Sequence, residues 1–195
     1  GDIEIKAVDA AGNGDWLRVL SGRTVQSTGG SIYLRSGDDM FLESGVRLLA
    51  AGQVSLEADY GKADDASLKA GISGTNVTIT AGTSISAKAT GDIVFDAGSV
   101  LTAGTFVSFQ AGGKVTIDNA TLKANVDHID IEAVGDVLLR NSASLTAKTY
   151  VQIDSSTGAV QVTGGTSFVA ETQSLRRDGA NNVIVEQGSQ LRGQT

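Results

Sequence analysis

Apolar and polar residues alternate over short stretches along nearly the whole chain, as in Ile85-Ser-Ala-Lys-Ala89 and Val107-Ser-Phe-Gln-Ala111. A period of two is that of a strand with one face buried. Each stretch runs into a Gly, Asn, Asp or Ser cluster that predicts a turn. The stretches also repeat. Asp39-Met-Phe-Leu-Glu-Ser-Gly-Val-Arg-Leu-Leu-Ala50 matches Asp92-Ile-Val-Phe-Asp-Ala-Gly-Ser-Val-Leu-Thr-Ala103 position for position in residue type. Both continue into an apolar–polar–apolar triplet, Val54-Ser55-Leu56 and Val107-Ser108-Phe109.

Indexing the stretches gives three series of apolar anchors. The first runs through Val25, Leu48, Val77, Leu101, Leu122, Leu145, Phe168 and Leu191. The second runs through Ile3, Ile32, Val54, Ile85, Val107, Ile129, Val151 and Leu175. The third runs through Leu17, Met40, Leu68, Ile93, Val115, Val137, Val160 and Val183. From Ile85 to Val151 the second series advances by 22 residues three times running. Two residues beyond the first-series anchors the side chain stays small, as at Ala50, Ala103, Ala124, Ala147 and Ala170. The equivalent third-series positions are large, as at Leu42, Phe95, Ile117 and Leu139. Four beyond the second-series anchors stand Ala89, Ala111, Ala133 and Ser155. Constant size at equivalent positions means that the repeats stack and share one packing constraint. The predicted fold is all-β: a right-handed parallel β-helix with three strands per turn and about eight turns of about 22 residues.

Two gaps break the period. Ile3 to Leu17 and Val54 to Leu68 each take 14 residues where the same corner elsewhere takes about eight. They predict loops at 8–15 and 59–66 extruded from one corner, two turns apart. Their candidate contact residues are Asn13, Asp15, Tyr60, Lys62, Asp64 and Asp65. Such loops are either recognition elements on a rigid scaffold or tolerated insertions.

Composition then narrows the function classes. There is no cysteine, so disulfide scaffolds, thiolate metal sites and a cysteine nucleophile are excluded. A single histidine, His128, makes a histidine triad or metal cluster implausible, and no cofactor is expected. His128 precedes a strand at a corner and reads as a surface turn residue without a repeated partner. The net charge of −7 argues against nucleic acid and anionic membrane as partners, and no apolar run approaches a membrane-spanning length. The absence of proline fits a chain made almost wholly of laddered strands.

The candidate sites compete with plain structural roles. Asp96 and Asp118 occupy equivalent positions on adjacent turns, as a carbohydrate or cation face would require, but Arg140 follows them in the column. The Gly-Asp dipeptides at 91–92 and 135–136 lack the tandem pattern of a calcium β-roll. Outward positions of the first series hold three threonines interrupted by Lys123, which is no ice-binding lattice. The outward side of the third series reads Arg18, Phe41, Lys69, Val94, Thr116, Leu138, Gln161, Ile184. Phe41, Val94, Leu138 and Ile184 there form either a docking strip or a row of strand formers shaded by polar neighbours. Asn119 and Asn141 suggest a short amide ladder.

The unit Gly-Asp-Ile-Val-Phe-Asp-Ala-Gly-Ser-Val-Leu-Thr-Ala-Gly-Thr-Phe-Val-Ser-Phe-Gln-Ala at 91–111 resembles the repeats of filamentous-haemagglutinin-like exoproteins. These are large two-partner-secreted bacterial adhesins with β-helical shafts. The resemblance implies a secreted or cell-surface shaft and no enzyme. Its implied partners are neighbouring β-helix repeats and a host-cell receptor, surface receptor or glycan. No motif for the family's binding residues is matched, so none is carried over. The chain opens and stops in mid-pattern, and residues 1–195 are therefore read as one β-helix segment of a longer repetitive protein. The alternative from another class is a carbohydrate-binding or polysaccharide-cleaving β-helix protein, with its face at Asp96 and Asp118.

Overall fold

The computed structural model describes residues 1–8, 14–61, 69–171, 175–179, 182–185 and 188–193. Among these the protein is all-β, with twenty-four short strands and no helix. Every third strand joins the same sheet, which gives three eight-stranded sheets. Sheet A starts with β1 (Ile3–Ala7), sheet B with β2 (Leu17–Val19) and sheet C with β3 (Thr24–Ser27). All pairings are parallel. A parallel pair needs a crossover of a dozen or more residues, and here the strands of the other two sheets supply it. The result is a parallel β-helix.

The anchor series coincide with the strand register in every turn but the third. In sheet A, Val54, Ile85, Val107, Ile129 and Val151 stack in unbroken succession. In sheet C the residue between Leu48 and Leu101 is Ile79, not Val77. In sheet B the residue between Met40 and Ile93 is Ile72, not Leu68, which lies outside the described residues. The two differences have separate causes. Val77-Thr-Ile-Thr80 alternates, and a period-two pattern cannot distinguish position i from i+2, whereas Leu68 follows from hydrophobicity alone where the second insertion breaks the spacing. The second insertion is consequently longer than expected, since the next strand starts only at Ile72. In the same turn, Ser73 replaces Lys69 in the outward row of sheet B, and Thr80 replaces Thr78 in that of sheet C.

The core is one continuous cluster built as a stack of matched layers. Ile32, Leu56, Ile93, Val115, Leu122 and Leu145 are all fully buried. The large column of sheet B breaks at Gly74, between Leu42 and Phe95. Phe95 fills the space that this glycine leaves: a Cβ on residue 74 would lie 2.8 Å from two ring carbons. The Phe95 ring then stacks on Phe109 of the next turn, with centroids 5.4 Å apart. The small column of sheet C has a different origin. It leads into the corner toward sheet A, where successive backbones nearly touch. A Cβ on Gly104 would come within 1.9 Å of the Gly82 carbonyl oxygen. Buried hydroxyls are satisfied locally: Ser99 Oγ donates to the Asp96 carbonyl at 2.6 Å and accepts the Val77 N–H at 3.2 Å. At the two edges the core is open. Inward Ile5 and Val185 are 40% exposed, whereas their register partners Leu34 and Val162 are fully buried.

These two glycines make a contrasting prediction. Gly74→Ala is expected to cost about 1–3 kcal/mol through overpacking against the Phe95 ring, with part of the loss recovered in the Gly74→Ala/Phe95→Leu double variant. Gly104→Ala meets backbone, so no neighbouring side-chain truncation is expected to rescue it. Urea unfolding of the single and double variants measures both.

Candidate functional site

Three surface regions carry the residues singled out above. The first is the corner from sheet B to sheet C, where Asp96, Asp118, Asn119 and Asn141 line a recess of about 670 Å³. Asp118 is fully engaged: its Oδ2 accepts Arg140 Nε at 2.8 Å and its Oδ1 accepts Asn141 Nδ2 at 2.7 Å. Asp96 keeps one buried oxygen, Oδ1, without a partner. The two carboxylates therefore differ in environment, one being held by Arg140 and Asn141 and the other not. Among the described residues no group of three acidic or histidine side chains could hold a metal ion. Asn141 gives its amide to Asp118 and not to Asn119, so the amide ladder does not form. What these asparagines share is backbone: φ is 50° at Asn76, 48° at Asn119 and 52° at Asn141. Asparagine tolerates the left-handed region better than most residues, which accounts for its recurrence at this corner.

The second region is the outward face of sheet B. Phe41, Val94, Leu138 and Ile184 do share one column, separated by Ser73, Thr116 and Gln161. They do not form a bare strip. The Arg18 guanidinium lies over the Phe41 ring at 5.3 Å and over the Trp16 ring at 5.1 Å. Val94 and Leu138 are half-buried against Thr116, and only Ile184, on the edge strand, is 44% exposed.

The third region is the corner from sheet A to sheet B. Both insertions leave from it, on either side of the tight turn Gly37-Asp38-Asp39. Asn13, Lys62, Asp64 and Asp65 lie outside the described residues; Asp15 and Tyr60 mark the loop bases. Asp38 Oδ2 accepts the N–H groups of Gly14 and Asp15 at 2.7 and 3.0 Å. Asp39 Oδ1 accepts the N–H of Gly71 at 2.7 Å. Adjacent aspartates on the middle turn thus fasten one insertion each. At Tyr60 the ring faces the Arg35 guanidinium at 4.7 Å, and Arg35 also pairs with Glu4 and with Glu57 at 3.6 Å.

Further along the same corner, four turns enclose an open furrow of about 560 Å³. Ala89, Ala111 and Ala133 form its floor. Lys88, Gln110, Glu132 and Asp154 form one wall, one residue per turn in direct register. The alanine column was visible in the sequence as a constant small position. That it borders a concavity depends on how the chain bends at the corner, which residue type alone does not report.

A feature that the repeat could have revealed is the ring ladder at the corner from sheet C to sheet A. Phe106, His128 and Tyr150 follow one another at 22-residue spacing, each just before a sheet A strand. Their rings stack within 2° of parallel, with centroids 5.3 and 4.7 Å apart. His128 is therefore not an unpartnered turn residue. Its Nδ1 also lies 3.1 Å from Asp127 Oδ2, and Asp127 accepts Thr149 Oγ1 at 2.8 Å. Nearby, burial pushes the Asp130 carboxyl above its ordinary range; Glu132 and Asp154 add to the rise and His128 opposes it.

No family model, no curated protein and no solved structure matches the chain.

Two expectations follow from the corner chemistry. Each stacked ring pair contributes about 0.5–1.5 kcal/mol beyond burial, so His128→Ala is expected to lose roughly 1–3 kcal/mol while His128→Phe keeps most of the stability. Thermal unfolding of the two variants separates stacking from any acid–base role. The raised Asp130 means that the native state holds this proton more tightly than the unfolded chain. Its ionisation therefore costs stability as pH rises through the window above the ordinary carboxylate value. Asp130→Asn is expected to raise the urea midpoint at pH 7, and the gain should vanish below about pH 4.

Proposed function

We propose that the protein is a shaft or stalk segment of a large bacterial secreted or surface adhesin, where it displays distal binding or effector domains. The observation that carries this reading is the unbroken register of the three parallel ladders through all twenty-four strands. Neighbouring turns are bonded on three sides around a continuous aliphatic core. Bending such a rod compresses close-packed layers, which gives the stiffness a stalk needs. Cross-turn ion pairs such as Arg140–Asp118 and Lys148–Glu171, both at 2.8 Å, run in the same direction. A secreted or cell-surface location belongs to the same proposal.

The other reading, a carbohydrate-binding or polysaccharide-cleaving β-helix, has the Asp96–Asp118 recess as its support. Arg140 and Asn141 already occupy Asp118, which weakens it.

The test uses the natural protein that contains residues 1–195. In electron micrographs, its repeat region is expected to form a rod that lengthens by about 4.8 Å per 22 residues of repeat. Surface labelling of the producing cells should detect it. A compact particle, an intracellular location, or turnover of a polysaccharide abolished by Asp96→Asn would overturn the proposal.

A further inference from the structure

The furrow beside sheet A has a chemistry that a shaft does not require. On the same outward face, the early turns neutralise themselves: Glu4 pairs with Lys6 and Arg35, and Arg35 with Glu57. The later turns do not. Glu132 and Asp154 line the furrow as direct register partners, and no ion pair reaches either among the described residues. Glutamines are their nearest donors: Gln152 Nε2 reaches Asp154 Oδ2 at 2.6 Å, and Gln110 Nε2 stands 3.4 Å from Glu132 Oε2. Oδ1 of Asp154 is buried without a partner. Two adjacent carboxylates with no paired cation are complemented in charge by an ammonium group, which can donate to both. At the opposite end of the same wall stands Lys88, in register three strands away.

We propose that this furrow binds a short extended peptide with free termini, its ammonium group at Glu132 and Asp154 and its carboxylate at Lys88. Three strand spacings of about 4.8 Å separate Lys88 from Asp154, about 14 Å in all. Four extended residues span about 13–14 Å. The floor of Ala89, Ala111 and Ala133 accepts small apolar side chains and has no bulky group to exclude the peptide backbone. A volume of about 560 Å³ lies within the range of small-ligand sites. The opposed charges at the two ends fix the peptide's direction. This inference does not rest on the shaft reading, and either can fail without the other.

Tetraalanine with free termini is the probe, titrated into the full chain and followed by NMR chemical shifts. Saturable shifts confined to the furrow are expected, with a Kd near about 1 mM. N-acetyl-tetraalanine, and the Glu132→Gln and Asp154→Asn variants with unmodified peptide, are expected to weaken binding about tenfold or more, since each removes a charge-assisted contact. Tetraalanine amide should bind several-fold more weakly, and Lys88→Ala should abolish that difference. All three substituted positions face outward on sheet A, and circular dichroism verifies that each variant keeps its strands. The proposal is overturned if tetraalanine gives no saturable shifts at about 10 mM, if the acetylated peptide binds equally well, or if the shifts map to another face.

Discussion

Everything in this molecule depends on the backbone ladder between one turn and the next. Each strand pairs with the strands one turn before and after it, so a residue and its counterparts about 22 positions away occupy the same place in cross-section. Side-chain choice is then a choice about columns. A phenylalanine is admitted where its neighbour in the column gives way, as Phe95 is by Gly74. A charge is most easily met by its own column, as Asp118 is by Arg140. A ring gains by recurring, as Phe106, His128 and Tyr150 do.

The columnar rule explains which parts of the fold were legible beforehand. Regular 22-residue spacing sufficed for the three sheets, for the corner that extrudes both insertions, and for the shared column of Phe41, Val94, Leu138 and Ile184. It failed where an insertion broke the count. After Val54 the spacing offered no ruler, and hydrophobicity alone placed Leu68 and Val77 as anchors where Ile72 and Ile79 do the pairing. Function was less legible still. Whether the column of Phe41 is bare depends on Arg18, one turn away, and the asparagines at the sheet B–C corner answer a backbone requirement rather than an amide partner.

The surface is uneven in a way the core is not. Among the described residues, arginine–aromatic clusters, at Arg18 with Trp16 and Phe41 and at Arg35 with Tyr33 and Tyr60, lie in the early turns beside the two insertions. On the outward face of sheet A, Glu132 and Asp154 in the later turns have no ion pair among the described residues. The three ladders run through all of these turns alike, so the outward differences do not follow from the strand pairing. They mark positions where the outward residue is free of the core's constraint and can be selected for something else.

Asp38 and Asp39 carry this separation furthest. Each seals the foot of one insertion with bonds to backbone N–H groups, which every residue but proline possesses. The printed bonds at the two feet thus make no demand on side-chain identity at residues 14, 15 and 71. New sequences could be exchanged there over generations, or grafted there by an engineer, while the turns beneath keep their count.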